Sequence, residues 1–327
     1  MLIKQLQYLT ALSRERHFGR AAAACNVSQP TLSAGIRHLE DEMGVPIVER
    51  AQRFRGFTPE GQTILDWAQR IVADYESLHQ DLSLARQGLA GQLRIGVIPS
   101  ALPVTSLITG PFAQQHPAVN IMLRSLSSKE IQRGLDAFEL EAGITYLDNE
   151  PLENVRARPL YRERYFLIQG NTGPGSGADK NAPGKSPAGK SGAEKGGALA
   201  ATARWREAAG LPLCLLSRDM QNRRIIDSVF RGLGSEPRAQ IEANSPLSLI
   251  AHTRSSNIAT ILPLSFLSLI TGMPELRIRR LVEPEPSPQI GLVYSDREPV
   301  PAVVKTLLNS IRRLDMQRSV EQAAGLV

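Results

Sequence analysis

The residues with the clearest chemical potential lie in the run Ser28-Gln29-Pro30-Thr31-Leu32-Ser33. Short hydroxyl and carboxamide side chains opening a helix are the groups that read base edges. Gln pairs bidentately with adenine, Ser bonds to several bases, and a Thr or Ala methyl meets the thymine methyl. Ser28 is a good N-cap, and Pro30 is tolerated in a first turn, where its missing donor is no loss. The helix they open runs to about residue 43, with Leu32, Ile36, Leu39 and Met43 on one face, and Gly44 ends it. Gln29, Thr31, Ser33 and Ala34 are then exposed, with Arg37 one turn on. A second basic set follows, Arg50, Arg53 and Arg55 around Phe54. On a short hairpin, a wing, these arginines reach phosphates or a narrow minor groove. A lone arginine is ordinarily a solvated surface residue; a set so close behind such a helix is not.

Hydroxyls mark a second place. Residues 92–98 read as a strand that ends in Pro99-Ser100-Ala101-Leu102-Pro103, then a helix to about 114 that His116-Pro117 stops. Residues 119–123 and 142–146 read as strands around a helix at about 129–138. Alternating strands and helices imply a mostly parallel sheet with right-handed crossovers. Ligands bind beyond the strand C-termini of such sheets, where helix N-termini present free N–H groups. Ser100, Ala101, Ser127 and Ser128 occupy those positions. A further subdomain has strands at 213–216 and 258–262, the first followed by Ser217, Arg218, Gln221 and Asn222. Each serine is equally a plain helix cap, and Arg218 either neutralises an anion or stands in solvent.

Nothing comparable points to catalysis. There is no glycine-rich phosphate loop, nucleophile elbow or triad, and His17, His38, His79, His116 and His252 are scattered. The expectation is no enzyme, no cofactor and no metal site. Cys25 and Cys214 alone exclude a disulfide framework.

The elements that position these groups fall into zones. Helices at about 4–15 and 18–25 precede the helix after Ser28, a helix-turn-helix plan. After Pro59, Ile64, Ala68, Ile71, Tyr75, Leu78, Leu82, Ala85 and Leu89 alternate at spacings of four and three. That is a heptad seam over about 26 residues, roughly 39 Å of helix, too long for a wing-sized domain to cover alone. It predicts pairing with a second copy. Gln87-Gly88-Leu89-Ala90-Gly91 reads as a hinge. The expected units are a winged helix-turn-helix over 1–58, a linker and dimerisation helix over 59–90, and a ligand-binding domain over 91–327. Within the last, residues 171–203 are almost wholly small or polar, with Lys180, Lys185, Lys190 and Lys195 at five-residue intervals, and read as a disordered insertion.

The ordered series Phe18-Gly19-Arg20-Ala21-Ala22, Val27 to Ser33, Ile36-Arg37-His38-Leu39-Glu40, Glu49-Arg50 and Thr58-Pro59-Glu60-Gly61 resembles the LysR-type transcriptional regulators. The match runs over about 60 residues, and residues 91–327 resemble the family's effector domain more weakly. The resemblance implies an α+β / α/β protein whose C-terminal part has two Rossmann-like lobes, as in periplasmic binding proteins. It implies an effector between the lobes, lined by the positions of Ser100, Ser128, Ser217 and Thr260, with hydroxyls and helix N-termini favouring a small anion or carboxylate. It further implies double-stranded operator DNA, an antiparallel homodimer or dimer of dimers, and RNA polymerase as partners. The alternative is a small-molecule sensor or assembly protein that does not read DNA specifically. Where many members carry Arg-Gln, this chain has Ala34-Gly35, so something close by needs the space. His17-Phe18 and Cys25-Asn26-Val27-Ser28 lean toward the peroxide-sensing branch, yet only Cys214 lies in the effector domain, without that branch's cysteine pair.

The chain's net charge of +6 is not a DNA-binding signature. Residues 1–90 carry ten Lys or Arg against ten Asp or Glu and are neutral. The DNA reading rests on the local patch of Arg37, Arg50, Arg53 and Arg55. No apolar stretch is long enough for a membrane span, and the N-terminus lacks a signal-peptide pattern, so the expectation is a cytoplasmic protein with no membrane partner.

Overall fold

Leucines at helical spacing and well-placed caps build the N-terminal unit. The computed structural model of the chain describes residues 2–50, 54–171 and 201–327; the side chains of 50 and 83–87 lie outside that description. Helices α1 (Ile3–Glu15), α2 (Phe18–Ala24) and α3 (Gln29–Met43) pack through Leu6, Leu9 and Leu12, Ala21 and Ala22, and Leu32, Ile36 and Leu39, all buried. His17 caps α2, its Nδ1 accepting from Gly19 N–H at 3.0 Å. Ser28 caps α3, and Gly44, at φ 71°, ends it in the left-handed region glycine tolerates. Strands β1 (Val48–Arg50) and β2 (Phe54–Phe57) pair antiparallel as the wing. The Glu40 carboxylate accepts from the Ile47 and Val48 N–H groups at 3.0 and 3.1 Å, joining the end of α3 to the wing.

Helix α4 (Pro59–Gln87) starts on a Thr58 cap whose Oγ1 accepts from Gly61 N–H at 2.8 Å and donates to the Pro46 carbonyl at 2.6 Å. Its Leu65, Ala68 and Val72 stripe is buried in the N-terminal core, with α1 packed against it. Further along, Asp74 accepts from Arg297 at 3.1 Å, and Arg297 lies 4.8 Å over the Phe138 ring.

The C-terminal part is two lobes. Lobe 1 takes β3 (Gly91–Val97), a 3-10 turn over Pro99–Thr105, α5 (Ser106–Gln115), β4 (Val119–Ser125), α6 (Ser128–Asp136), β5 (Ala142–Tyr146) and β6 (Val155–Arg162). The chain crosses to lobe 2 for β7 (Tyr165–Gly170), β8 (Thr202–Arg204), α7 (Trp205–Ala209), β9 (Leu213–Leu216), α8 (Gln221–Gly232), β10 (Ala239–Ala243), α9 (Pro246–Ser255), β11 (Ala259–Pro263), α10 (Leu267–Ile270) and β12 (Leu276–Val282). It returns to lobe 1 as β13 (Gln289–Ser295), followed by α11 (Ala302–Arg312) and α12 (Met316–Ala323). The sheet orders are β4-β3-β5-β13-β6 and β10-β9-β11-β7-β12-β8.

These sheets are mixed, not mostly parallel as the alternation implies. β3 lies parallel to β4 and β5, and β9 to β10 and β11. β13 runs antiparallel to β5 and β6, and β7 to β11 and β12. The exceptions are the strands that carry the chain between lobes, which enter their sheets against the direction of the crossover units. Of the small-residue stretch expected over 171–203, residues 172–200 lie outside the described residues. Thr202 and Ala203 belong instead to β8, which pairs parallel with β12 and buries Ala203. Edge pairing with an existing strand orders a sequence that has little apolar character of its own.

Gly61 is fixed by the approach of α4 to the wing. A Cβ there would lie 2.0 Å from the Ile47 carbonyl oxygen, which belongs to the backbone and cannot swing aside. Gly61→Ala is expected to destabilise the N-terminal unit by about 2 kcal/mol or more, in the range of overpacking changes, as a lowered denaturant midpoint.

Candidate functional site

One face of α3 is buried, and its other face presents Gln29, Pro30, Thr31 and Arg37 to solvent, with Ser28 exposed before it and Ser33 half-buried. Ser28 and Thr31 are partly committed to each other. The Ser28 hydroxyl lies 2.8 Å from the Thr31 hydroxyl and accepts from the Thr31 N–H. Arg37 reaches back toward the Ser33 hydroxyl at 3.5 Å, a weak contact that leaves the guanidinium available. Arg55 is exposed on β2; Arg50 ends β1, and Arg53 lies outside the described residues. The missing bulk at Gly35 has a cause. A Cβ there would sit 2.7 Å from Tyr8 Cδ2, so the tyrosine ring of α1 occupies the space a side chain would take.

The predicted seam on α4 splits. Ala68, expected on it, is 1% exposed and faces its own domain, because Leu65, Ala68 and Val72 form the stripe that meets the helix-turn-helix core. Ile64 and Ile71 are half-buried against that core. Tyr75, Leu78 and Leu82 are exposed by 39%, 56% and 51%, and Trp67, which the heptad reading omitted, by 61%. Exposed large apolar groups on one stretch of helix are the mark of an unpaired interface.

Between the lobes, Ser100, Ser127 and Ser128 line a cavity of about 10 Å³ together with Tyr146, Gln221 and Asn222. The N-termini of α6 and α8 meet there. The Ser128 hydroxyl donates to Gln221 Oε1 at 2.7 Å and lies 3.0 Å from the Thr145 hydroxyl. Gln221 Nε2 donates to the Asp148 carbonyl at 3.2 Å, and Asn222 Nδ2 to the Tyr146 hydroxyl at 3.0 Å. Tyr146 in turn donates to Ser100 Oγ at 3.2 Å. Asn222 Oδ1, Ser217 Oγ and the Tyr165 hydroxyl are buried without a hydrogen-bond partner. Ala101 is fully buried beside Ser100 and does not line the cavity. Thr260 does not line it either. Its hydroxyl donates to the Cys214 carbonyl at 2.7 Å and joins β11 to β9. Arg218 is solvated, 3.8 Å from Glu242. Sequence reading placed Gln221 and Asn222 after a strand but did not select them. Their signal was a helix first turn beyond a strand C-terminus, the same rule that picked out Ser128.

The first crossover carries a buried acid. Glu163, 0% exposed between β6 and β7, is pushed up to about 8 by burial, with the Arg164 N–H and the Tyr161 hydroxyl opposing the shift. Burial, with Glu163 adding to it, likewise drives the Tyr146 phenol up to about 12. Burial raises the Cys214 thiol to about 11 and moves Cys25 in the same direction against Arg14. Thiols react as thiolates, so the buried Cys214 sits in unreactive surroundings. Among the described residues, no group of three or more His, Cys, Asp or Glu could hold a metal ion, and no helix is long and apolar enough to cross a membrane.

An exposed helix-turn-helix face, a wing, a linker helix and a two-lobed domain with a polar cleft define a winged helix-turn-helix protein with an appended two-lobed α/β domain. Residues 3–62 match the bacterial regulatory helix-turn-helix protein model of the lysR family, and 86–175 with 195–315 match the LysR substrate binding domain. The chain belongs to the LysR family. It is 36% identical over 168 residues to the DNA-binding transcriptional dual regulator OxyR of Escherichia coli K12, covering 51% of this chain and 55% of that protein. The alignment thus spans about half the length of that relative. Over 99% of this chain and all of the relative, it is 28% identical to a hydrogen peroxide-inducible genes activator of Dickeya chrysanthemi. Among solved structures, a full-length OxyR variant from Pseudomonas aeruginosa aligns over 97% of both chains with TM-score 0.71 and 25% identity. CbnR complexed with its target DNA shares the fold at TM-score 0.62 and 19% identity, over 96% of this chain and 99% of that one.

Glu163 makes stability depend on pH with a definite sign. Its folded value lies above the ordinary carboxylate value, so the folded chain holds a proton that the unfolded chain releases. Its contribution is complete below about pH 4.5 and is lost as pH rises to about 8. Glu163→Gln is expected to raise the thermal midpoint more at pH 8.5 than at pH 6, by several degrees; equal shifts at both pH values would place an ionised carboxylate there.

Proposed function

We propose that this chain is a transcriptional regulator that reads operator DNA with α3 and the wing, and that a small carboxylate held between the lobes tunes that binding. The observation that supports the DNA reading most directly is the exposed face of α3. Gln29, Thr31 and Arg37 stand free of the core on a helix whose opposite side is fully packed. Base-edge contacts come from Gln29, Thr31 and Ser33. Ser28, Pro30 and Arg37 set the approach of the helix, and Arg50, Arg53 and Arg55 hold phosphates or the minor groove. The exposed stripe Tyr75, Leu78 and Leu82 pairs with a second copy, extended by Trp67, Ile64 and Ile71 at its edge. Two recognition helices then face half-sites related by a two-fold axis. RNA polymerase is the partner through which such binding acts on transcription.

The carboxylate reading is supported by the α6 N-terminus beside Ser100, Ser127 and Ser128, with Ser217 Oγ buried nearby. Peroxide, which the names of several relatives suggest, is the weaker reading. The two cysteines lie in different domains, and burial raises both thiols above their ordinary range.

Gln29→Ala is expected to weaken binding to the specific operator by about 5- to 100-fold while leaving non-specific binding and its salt dependence unchanged, measured by fluorescence anisotropy. An unaltered specific affinity would remove Gln29 from base reading. Leu78→Asp is expected to shift the protein to monomer in sedimentation velocity, because it buries a charge in an apolar seam. A dimer of wild-type strength would exclude α4 from the interface.

A further inference from the structure

The interlobe cavity holds about 10 Å³, room for about one water. No organic ligand enters it while the Gln221 side chain stays in place. That side chain is 4% exposed and spans the gap. Its Oε1 accepts from Ser128 of lobe 1, and its Nε2 donates to the Asp148 carbonyl of the same lobe. A carboxamide therefore occupies the position at the α6 N-terminus where a bound oxygen would be held. The Ser127–Glu130 capping box satisfies the outer N–H groups of that helix from the solvent side. It leaves the first-turn N–H groups of Ser128 and Lys129 open.

Gln221 also lines the wall of a neighbouring groove of about 600 Å³, which carries Arg218, Arg224 and Arg231 with Glu150 and Asp227 among them. Arg218 and Arg231 are exposed; Arg224 is paired with Glu150. The same residue thus separates a groove with arginines at its mouth from the sealed cleft. A second observation points to what the cleft accepts. Asn222 is 3% exposed and lines the cavity, and its Oδ1, an acceptor, has no partner. Leaving a buried acceptor unpaired is unfavourable, and a ligand that donates to it relieves that penalty.

The geometry points to Gln221 as the gate of the cleft, displaced by a short carboxylate that carries an adjacent hydroxyl group. The ligand's carboxylate takes over the place of Gln221 Oε1 at Ser128, and its hydroxyl donates to Asn222 Oδ1. The carboxamide it expels offers one acceptor and one donor, the same pair of functions. Gln221 swings into the groove, and the lobes lose its two hydrogen bonds, to Ser128 and to the Asp148 carbonyl, and gain a ligand-mediated tie. This rests on the reading of the cleft as the ligand site.

The test titrates the full-length protein with glycolate and with acetate by calorimetry. Gln221→Ala, which removes the competing carboxamide without removing a ligand contact, is expected to bind glycolate about ten-fold more tightly than wild type. Gln221→Glu keeps the size of the side chain and tethers a carboxylate in the same place; it is expected to lose glycolate binding. Acetate, which lacks the hydroxyl, is expected to bind Gln221→Ala more weakly than glycolate. Equal affinity for the two ligands would remove the hydroxyl from the proposed class. Glycolate affinity unchanged by Gln221→Ala but abolished by Ser128→Ala overturns the gate and leaves the cleft reading standing. Binding that neither exchange alters, or none in Gln221→Ala, overturns the gate and the carboxylate cleft together.

Discussion

Two helix N-termini that meet across the lobes set the constraint on which the ligand-binding half is organised. α6 and α8 each end there in partial positive charge and unsatisfied N–H groups. Like ends brought together need an acceptor between them. The chain supplies one from its own first turn, Gln221 Oε1 against the Ser128 hydroxyl, backed by Asn222 and Tyr146. These hydrogen bonds add to a hydrophobic core that is continuous between the lobes and to the Ser265–Ser100 and Arg224–Glu150 ties. In general a ligand shifts an equilibrium between two arrangements only by its differential contacts with them.

The DNA-binding half depends on different physics. Its precision comes from close backbone approach. Gly61 lets α4 touch the Ile47 carbonyl, and the Glu40 carboxylate takes up the two N–H groups that start the wing. Tyr8 fills the space left at Gly35, so the residue that departs from the family pattern is explained by packing inside the domain. The outer face of α3 stays free because nothing in the domain covers it. The linker helix joins the halves. Its first turns pack on the N-terminal core, while Asp74 meets Arg297 of lobe 1, so the same helix contacts both halves.

Much of this was legible in the chain. The caps Ser28 and Gly44, the apolar face of α3 and the length of α4 follow from local rules of capping and periodicity. The serines at strand ends follow from the rule for open sheets. What failed were inferences that need to know which neighbour arrives. Ala68 and Trp67 both suit a helical stripe, and only the position of α1 decides that one is covered and the other bare. Thr260 is a cleft position by family resemblance, yet its hydroxyl is spent on the Cys214 carbonyl.

The amino-acid order by itself determined the helix-turn-helix, the wing, the long linker helix and the alternating character of the remainder. These are settled by contacts within a few residues, where spacing and cap chemistry are read directly. It also showed that the positive net charge does not reside in the DNA-binding zone. The tertiary structure alone decided the mixed direction of the sheets, the burial of Glu163 and the meeting of Ser128 with Gln221. Those depend on the chain crossing twice between lobes and bringing together residues 93 positions apart. No local periodicity encodes such a crossing, because its driving force is the joint burial of two sheets against their helices.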